Sequence, residues 1–265
     1  MPEGHTVHRT ANDFNRLFAG TSVNISSPQG RFASQAALID GKALNQARAI
    51  GKQMFLEFEN ELTLRIHLGI YGKWSFGKIV GDVPEPVGQV RARFIGNGNL
   101  ADLRGPTVCE VIGAEQVREV EKRLGPDPLN PDVNSLERER FISRVLSSKS
   151  PIGLLLMNQD VIAGIGNVYR AEILFRAGIS PHLPGSQVSR QQLEEIWRDS
   201  VELLRIGVKT GFMITRDELF TKRPNKADRN FVYKREGLPC RKCGTNISIE
   251  LMASRKLYFC VTCQP

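Results

Sequence analysis

The stretch 158-NQDVIAGIGNVYRAEILFRAGISP-181 decides the fold. A helical pattern breaks at Gly164-Ile165-Gly166, Asn167 opens a second helix, and Gly178 stops it. Glycine lets the backbone approach a ligand closely, and a helix N-terminus turns N–H groups toward an anion. A helix–hairpin–helix arrangement of this kind suits a nucleic-acid phosphate. Read alone, a plain glycine turn between two packed helices explains the stretch at least as well.

Downstream, 240-CRKC and 260-CVTC form two C-x2-C knuckles. Zinc takes four thiolates in a tetrahedron, so Cys240, Cys243, Cys260 and Cys263 predict one structural Zn2+ with no open position for water. The segment is too short for a core of its own and needs such a staple. Between residues 222 and 258, ten Lys or Arg face three acids, nearly the whole of the net charge of +8. A basic stretch of this density suits a polyanion, though a solvated basic tail shares the composition. Cys109 lies in an apolar run and reads as a small buried hydrophobe.

Upstream, residues 3–18 read as an amphipathic helix ended by Gly20, with Val7, Ala11, Phe14 and Phe18 on one face. From about 21 to 112 the period changes to two. Met54, Leu56 and Phe58 alternate with Phe55, Glu57 and Glu59, and Val90, Ala92 and Phe94 alternate with two arginines. Asn60-Glu61 and 96-GNGN read as hairpin turns. The proline-rich 125-GPDPLNPDVN marks a boundary, after which the pattern is helical. Ser150-Pro151 reads as a helix cap, and Gly207 as the stop of a helix over 189–206. The expected class is α+β in two domains. Residues 1–124 form a helix with a β-sandwich, 125–134 a linker, 135–237 a helical DNA-binding domain, and 238–265 a zinc-finger hairpin.

The chain has 265 residues, of which 41% are hydrophobic. No run is long enough to span a bilayer and no secretory signal leads the chain, so a cytoplasmic protein with no membrane partner is expected.

The start, MPEGHTVHRT, admits two readings. Pro2 suits the first position of a helix, with Glu3 complementing its dipole. Once Met1 is removed, Pro2 also carries a secondary amine, a usable nucleophile toward a sugar C1′, beside a carboxyl able to move protons.

Taken together, the PEG start, GIGNVYRAEILFRAGISP and the paired C-x2-C knuckles resemble the formamidopyrimidine-DNA glycosylase/endonuclease VIII family over essentially the whole chain. The resemblance implies a helix–two-turn–helix domain and a base-excision-repair enzyme that excises oxidised bases and cuts the strand. It implies Pro2 as Schiff-base nucleophile, Glu3 as proton donor, and Lys52 as the lysine that assists elimination. Asn167, with Gly166 beside it, falls on the phosphate-binding turn, and Arg255 matches the finger arginine that grips phosphate. The lesion is flipped out of the duplex and the hole filled by side chains. Gly69, Ile70 and Tyr71 occupy the place of the endonuclease VIII Gln-Leu-Tyr loop, with Gly69 departing from it. Arg104 lies near where the formamidopyrimidine branch carries an intercalating arginine. His5 and His8 follow on the same helix with no catalytic role assigned. The expected partner is damaged DNA, met by a monomer associated with a bacterial-type nucleoid and needing no catalytic cofactor. The loop and PEGHT favour the endonuclease VIII branch and oxidised pyrimidines. An 8-oxoguanine-type glycosylase, or a non-catalytic damage-binding protein on the same scaffold, are the alternatives.

Overall fold

A computed structural model describes residues 2–59 and 61–265; Met1, and Asn60 of the expected Asn60-Glu61 turn, lie outside the described residues. The chain divides into two compact units, Met1–Arg123 and Leu124–Pro265.

In the first unit, helix α1 (Gly4–Phe18) packs against a pair of antiparallel four-stranded sheets. One sheet has the order β1 (Asn24–Ser26), β6 (Val90–Gly96), β7 (Asn99–Arg104), β5 (Lys73–Lys78). The other has the order β2 (Leu44–Ile50), β3 (Gln53–Phe58), β4 (Thr63–His67), β8 (Val108–Ile112). Helices α2 (Ala33–Ile39) and α3 (Ala114–Arg123) complete the unit. Inward residues of both sheets, among them Met54, Leu56, Leu64, Phe94 and Leu103, share one core with Val7, Ala11, Phe14 and Phe18. The Phe14 ring lies edge-on to Trp74 at 4.7 Å and to Phe94 at 5.3 Å, a favoured aromatic geometry.

Two local expectations shift. Helix α1 starts at Gly4, so Pro2 precedes the helix and Glu3 is its N-cap, with extended backbone and no side-chain capping bond. Phe55 is fully buried instead of alternating outward, because Ile112 of β8 and Val117 and Val120 of α3 form a second apolar cluster over it. Strand alternation reports one buried face; a helix on the other face hides the alternation.

The second unit contains α4 (Leu136–Leu146), the single turn α5 (Ile152–Leu155), α6 (Asn167–Ala177) and α7 (Arg190–Thr210). Phe141, Ile152, Ile165, Tyr169, Ile173, Leu193, Trp197 and Leu203 build its core. Helix α6 ends as expected on Gly178 in the left-handed region (φ 66°). Ser189 and Gln192 form a capping box on α7, which runs through buried Gly207 and stops at Gly211 (φ 78°). A glycine interrupts a helix only weakly when its neighbours are packed, and Leu203, Leu204 and Gly207 are all buried. The cap expected of Ser150-Pro151 moves by one residue: Pro151 is the N-cap of α5.

The proline-rich segment packs within this unit. Gly125 N–H donates to Gln159 O at 2.8 Å, Ala163 N–H to Pro126 O at 2.8 Å, and Asp127 is buried. Hairpin β9 (Ser248–Met252) and β10 (Arg255–Phe259) closes the chain. Among the described residues, no helix is long and apolar enough to cross a membrane.

Candidate nucleic-acid interface

Strand register brings two of the first unit's candidate segments together, the Lys52 turn and the loop after β4. Asn15 of α1 clamps Ala47 of β2 through both side-chain atoms, donating to its O at 2.7 Å and accepting from its N–H at 2.6 Å. Ala19, just after α1, forms a parallel bridge with Leu44, so the helix and β2 lie side by side. From this clamp back to Glu3 the helix rises about 18 Å, and β2 runs on to Ile50 before the Gly51–Lys52 turn. Glu3 is fully buried and its backbone O accepts from Thr6 N–H at 2.9 Å.

Gln53 pairs with His67 and His67 with Val108, which brings the loop after β4 to the Lys52 turn. His67 Nδ1 lies 2.9 Å from Lys52 O. In that loop Ile70 is 55% and Tyr71 84% exposed, unusual for side chains of this size and polarity. Gly69 has φ 64°, and a Cβ there would lie 1.9 Å from Thr107 Oγ1. The backbone path and the Thr107 side chain both oppose a side chain at position 69.

Arg104, at the end of β7, is committed to its own sheet. It donates to Val87 O at 3.0 Å, Ser75 Oγ at 2.8 Å and Asp102 Oδ2 at 2.9 Å. Asp102 is shared with the buried Arg93, at 2.8 and 2.9 Å. The guanidinium braces β5, β7 and the 87–88 turn, and in this conformation is not presented as a wedge.

His5 is buried beside Glu3. Burial, reinforced by Arg9, lowers its pKa to about 4, so the ring is neutral at physiological pH.

In the second unit, Gly166 is the N-cap of α6 and Asn167 its first residue. The Asn167 side chain donates to Lys256 O at 2.8 Å and accepts a bond from Arg170, whose side chain is fully buried. Asn167 and the finger are thus tied one residue away from Arg255. Arg255 opens β10 directly after Ala253 (φ 48°) and Ser254 (φ 61°), a left-handed pair that makes a tight hairpin.

The four Cys Sγ atoms of the finger lie within 4.8 Å of one another, with Cys240–Cys263 at 3.9 Å and Cys243–Cys260 at 3.4 Å. Four thiolates about 2.3 Å from a common ion are about 3.8 Å apart, so this donor set fits a tetrahedral metal. Gln264 docks the cluster on the helical body, accepting from Cys260 N–H at 3.0 Å and donating to Ile179 O at 3.0 Å.

Sequence reasoning overlooked Glu172. Fully buried on α6, it accepts from Phe231, Val232 and Tyr233 N–H at 2.7, 2.8 and 2.7 Å, and from the Thr215 hydroxyl at 2.5 Å. The available signal was an acid within the apolar run AEILF; its purpose became visible only with the partner loop in place.

Residues 1–107 match the formamidopyrimidine-DNA glycosylase N-terminal domain, and residues 124–218 the H2TH domain of the same enzymes. The chain is 44% identical to Endonuclease 8 1 of Mycobacterium tuberculosis and 29% identical to Endonuclease 8 of Escherichia coli K12, covering 100% of each. Among solved structures, the MutM (Fpg) protein of Thermus thermophilus superposes with a TM-score of 0.78 at 28% identity, over 99% of this chain and 98% of the other. The Lactococcus lactis formamidopyrimidine-DNA glycosylase bound to AP-site DNA has a TM-score of 0.81 at 22% identity, over 99% of each chain, a likeness of fold.

Proposed function

The chain belongs to the formamidopyrimidine-DNA glycosylase/endonuclease VIII family of DNA glycosylase/AP lyases, and from that premise we propose that it removes oxidised pyrimidines from DNA through Pro2 and then cleaves the strand by β,δ-elimination. The observation carrying this reading is that the Lys52 turn meets the strand leading into the exposed Ile70–Tyr71 loop, in the unit whose first helix is preceded by Pro2 and has the buried Glu3 at its N-cap.

With Met1 removed, the secondary amine of Pro2 attacks C1′ of the flipped nucleotide as the bond to the damaged base breaks. The C1′–O4′ bond then breaks as O4′ takes a proton, which opens the sugar to an iminium; loss of the acidified C2′ hydrogen expels the 3′ phosphate, and loss of a second hydrogen, at C4′ of the conjugated iminium, expels the 5′ phosphate. Glu3, buried and not spent on capping α1, donates and shuttles protons. Lys52 assists the elimination and holds the flanking phosphate. Ile70 and Tyr71 fill the vacated stack as wedge and stacker. Gly69 lacks any side chain to read the orphaned base. Asn167, with the Gly166 turn beside it, and Arg255 grip phosphate, and their attachment through Lys256 makes them one unit.

Cys240, Cys243, Cys260 and Cys263 hold one Zn2+, which supplies structure and no chemistry to the reaction. The pyrimidine branch is favoured over the 8-oxoguanine branch because Arg104 is bound within its sheet while Ile70 and Tyr71 project.

Borohydride trapping on thymine-glycol and abasic duplexes tests this, with intact mass establishing whether Met1 is removed. A covalent adduct is expected, strongly weakened by Pro2→Gly. A processed wild-type protein that binds the duplex yet forms no adduct would favour a damage-binding protein instead.

A further inference from the structure

A cationic cavity in the first unit lies outside the site described above. It has a volume of about 390 Å³ and is lined by Gln29, Arg31, Gln89, Arg91 and Gly105. A strand irregularity builds it. Val90 opposes Arg104 and Ala92 opposes Leu103, so Arg91 is an extra residue with no counterpart on β7. Bulges of this kind bend a strand and re-aim a side chain.

The segment bearing Arg31 is fastened to the same bulge. Gln29 N–H donates to Val90 O at 3.1 Å, and Ser27 Oγ donates to Arg91 O at 2.8 Å while accepting from Phe32 N–H at 3.1 Å. Two guanidiniums and two carboxamides therefore face one opening, with no carboxylate in the lining. Such a lining suits an anion with several oxygens, and guanidinium recognises phosphate best in a forked geometry. Gly105 connects the cavity to the DNA-facing edge: a Cβ on it would lie 3.4 Å from Tyr71 O.

We propose that this cavity binds a DNA backbone phosphate, with Arg31 and the bulged Arg91 as its ligands. The site is separate from the Asn167–Arg255 grip and anchors the duplex beside the loop carrying Ile70 and Tyr71. The proposal rests on the DNA-repair reading, but its test does not depend on chemistry.

Binding to a duplex carrying a non-cleavable tetrahydrofuran abasic analogue is measured by fluorescence anisotropy between 50 and 200 mM salt. Each neutralised phosphate contributes about 0.9 to the slope of log K against log salt. The double variant Arg31→Gln/Arg91→Gln is expected to lose about one unit of slope and to bind about tenfold more weakly at 150 mM salt. The loss should be equal for all four opposite bases. Arg91→Lys, which keeps the charge, should retain the slope and serves with circular dichroism as the folding control. An unchanged slope in a folded double variant overturns the proposal. If that variant also loses the broadening of the inorganic-phosphate 31P signal seen with wild type, the cavity is a free-phosphate site instead. Loss of the Pro2 adduct in wild type with the slope effect intact would remove the glycosylase reading and leave this site standing.

Discussion

Substituting Glu172 with glutamine isolates what holds the segment leading into the finger to the helical body. The carboxylate accepts four bonds: Oε1 from Val232 and Tyr233 N–H, and Oε2 from Phe231 N–H and the Thr215 hydroxyl. A carboxamide has one acceptor oxygen and one donor nitrogen. Its best orientation keeps oxygen toward Val232 and Tyr233 and turns nitrogen toward Phe231 and Thr215. The threonine hydroxyl can rotate and accept; the Phe231 N–H cannot. One buried donor is orphaned, costing about 1–3 kcal/mol. The surviving bonds lose their charge assistance, roughly half their strength. The sum is on the order of 3–5 kcal/mol, or roughly 10 °C in melting temperature for a chain of this size. Thr215→Val, which removes one hydroxyl donor, should cost only about 1 kcal/mol. The assay is calorimetric melting with the rate of metal transfer to a chelator. Glu172→Gln should melt earlier and release metal faster. A variant melting within about 2 °C of wild type and releasing metal at the wild-type rate would refute the reasoning.

Three further outcomes follow from particular contacts. The folded state resists protonating His5 between its ordinary pKa of 6.5 and its buried value of about 4. Stability is therefore full above pH 6.5 and falls as pH drops toward 4, by about 3 kcal/mol; His5→Gln should flatten the urea midpoint across that window, and coincident profiles would count against the burial argument. Gly69→Gln should destabilise the first unit by roughly 1–3 kcal/mol, because φ 64° and Thr107 both oppose a side chain; adding Thr107→Gly should recover part of the lost melting temperature, and a neutral single variant would contradict the geometry. Stripping metal should abolish amide-exchange protection at Leu257 and Tyr258 while Phe94 and Leu103 stay protected; uniform retention would show that the cysteines are not a structural staple.

Several parts of the candidate site were legible in the chain because the chemistry involved is carried by near neighbours. Two cysteines three residues apart can share an ion wherever their knuckle lies, Gly178 can end a helix through its own backbone freedom, and Asn97-Gly98 can turn a hairpin locally. Pro2 and Glu3 were legible for the same reason, although the helix begins two residues after Pro2.

What only tertiary structure decided is what distant segments do to one another. Phe55 is buried because α3 covers it, Gly207 stays helical because its neighbours are packed, and Arg104 is held by Ser75, Val87 and Asp102. Lys52 meets the strand before the Ile70–Tyr71 loop because Gln53 pairs with His67, whose ring lies against Lys52 O. Glu172 anchors a loop some sixty residues away, and Arg91 is aimed by a one-residue mismatch between two strands. The physical reason is common to all of these. Residue type sets which bonds a side chain can make, but burial, register and the partner's position determine which of them are made, and those belong to the assembled fold.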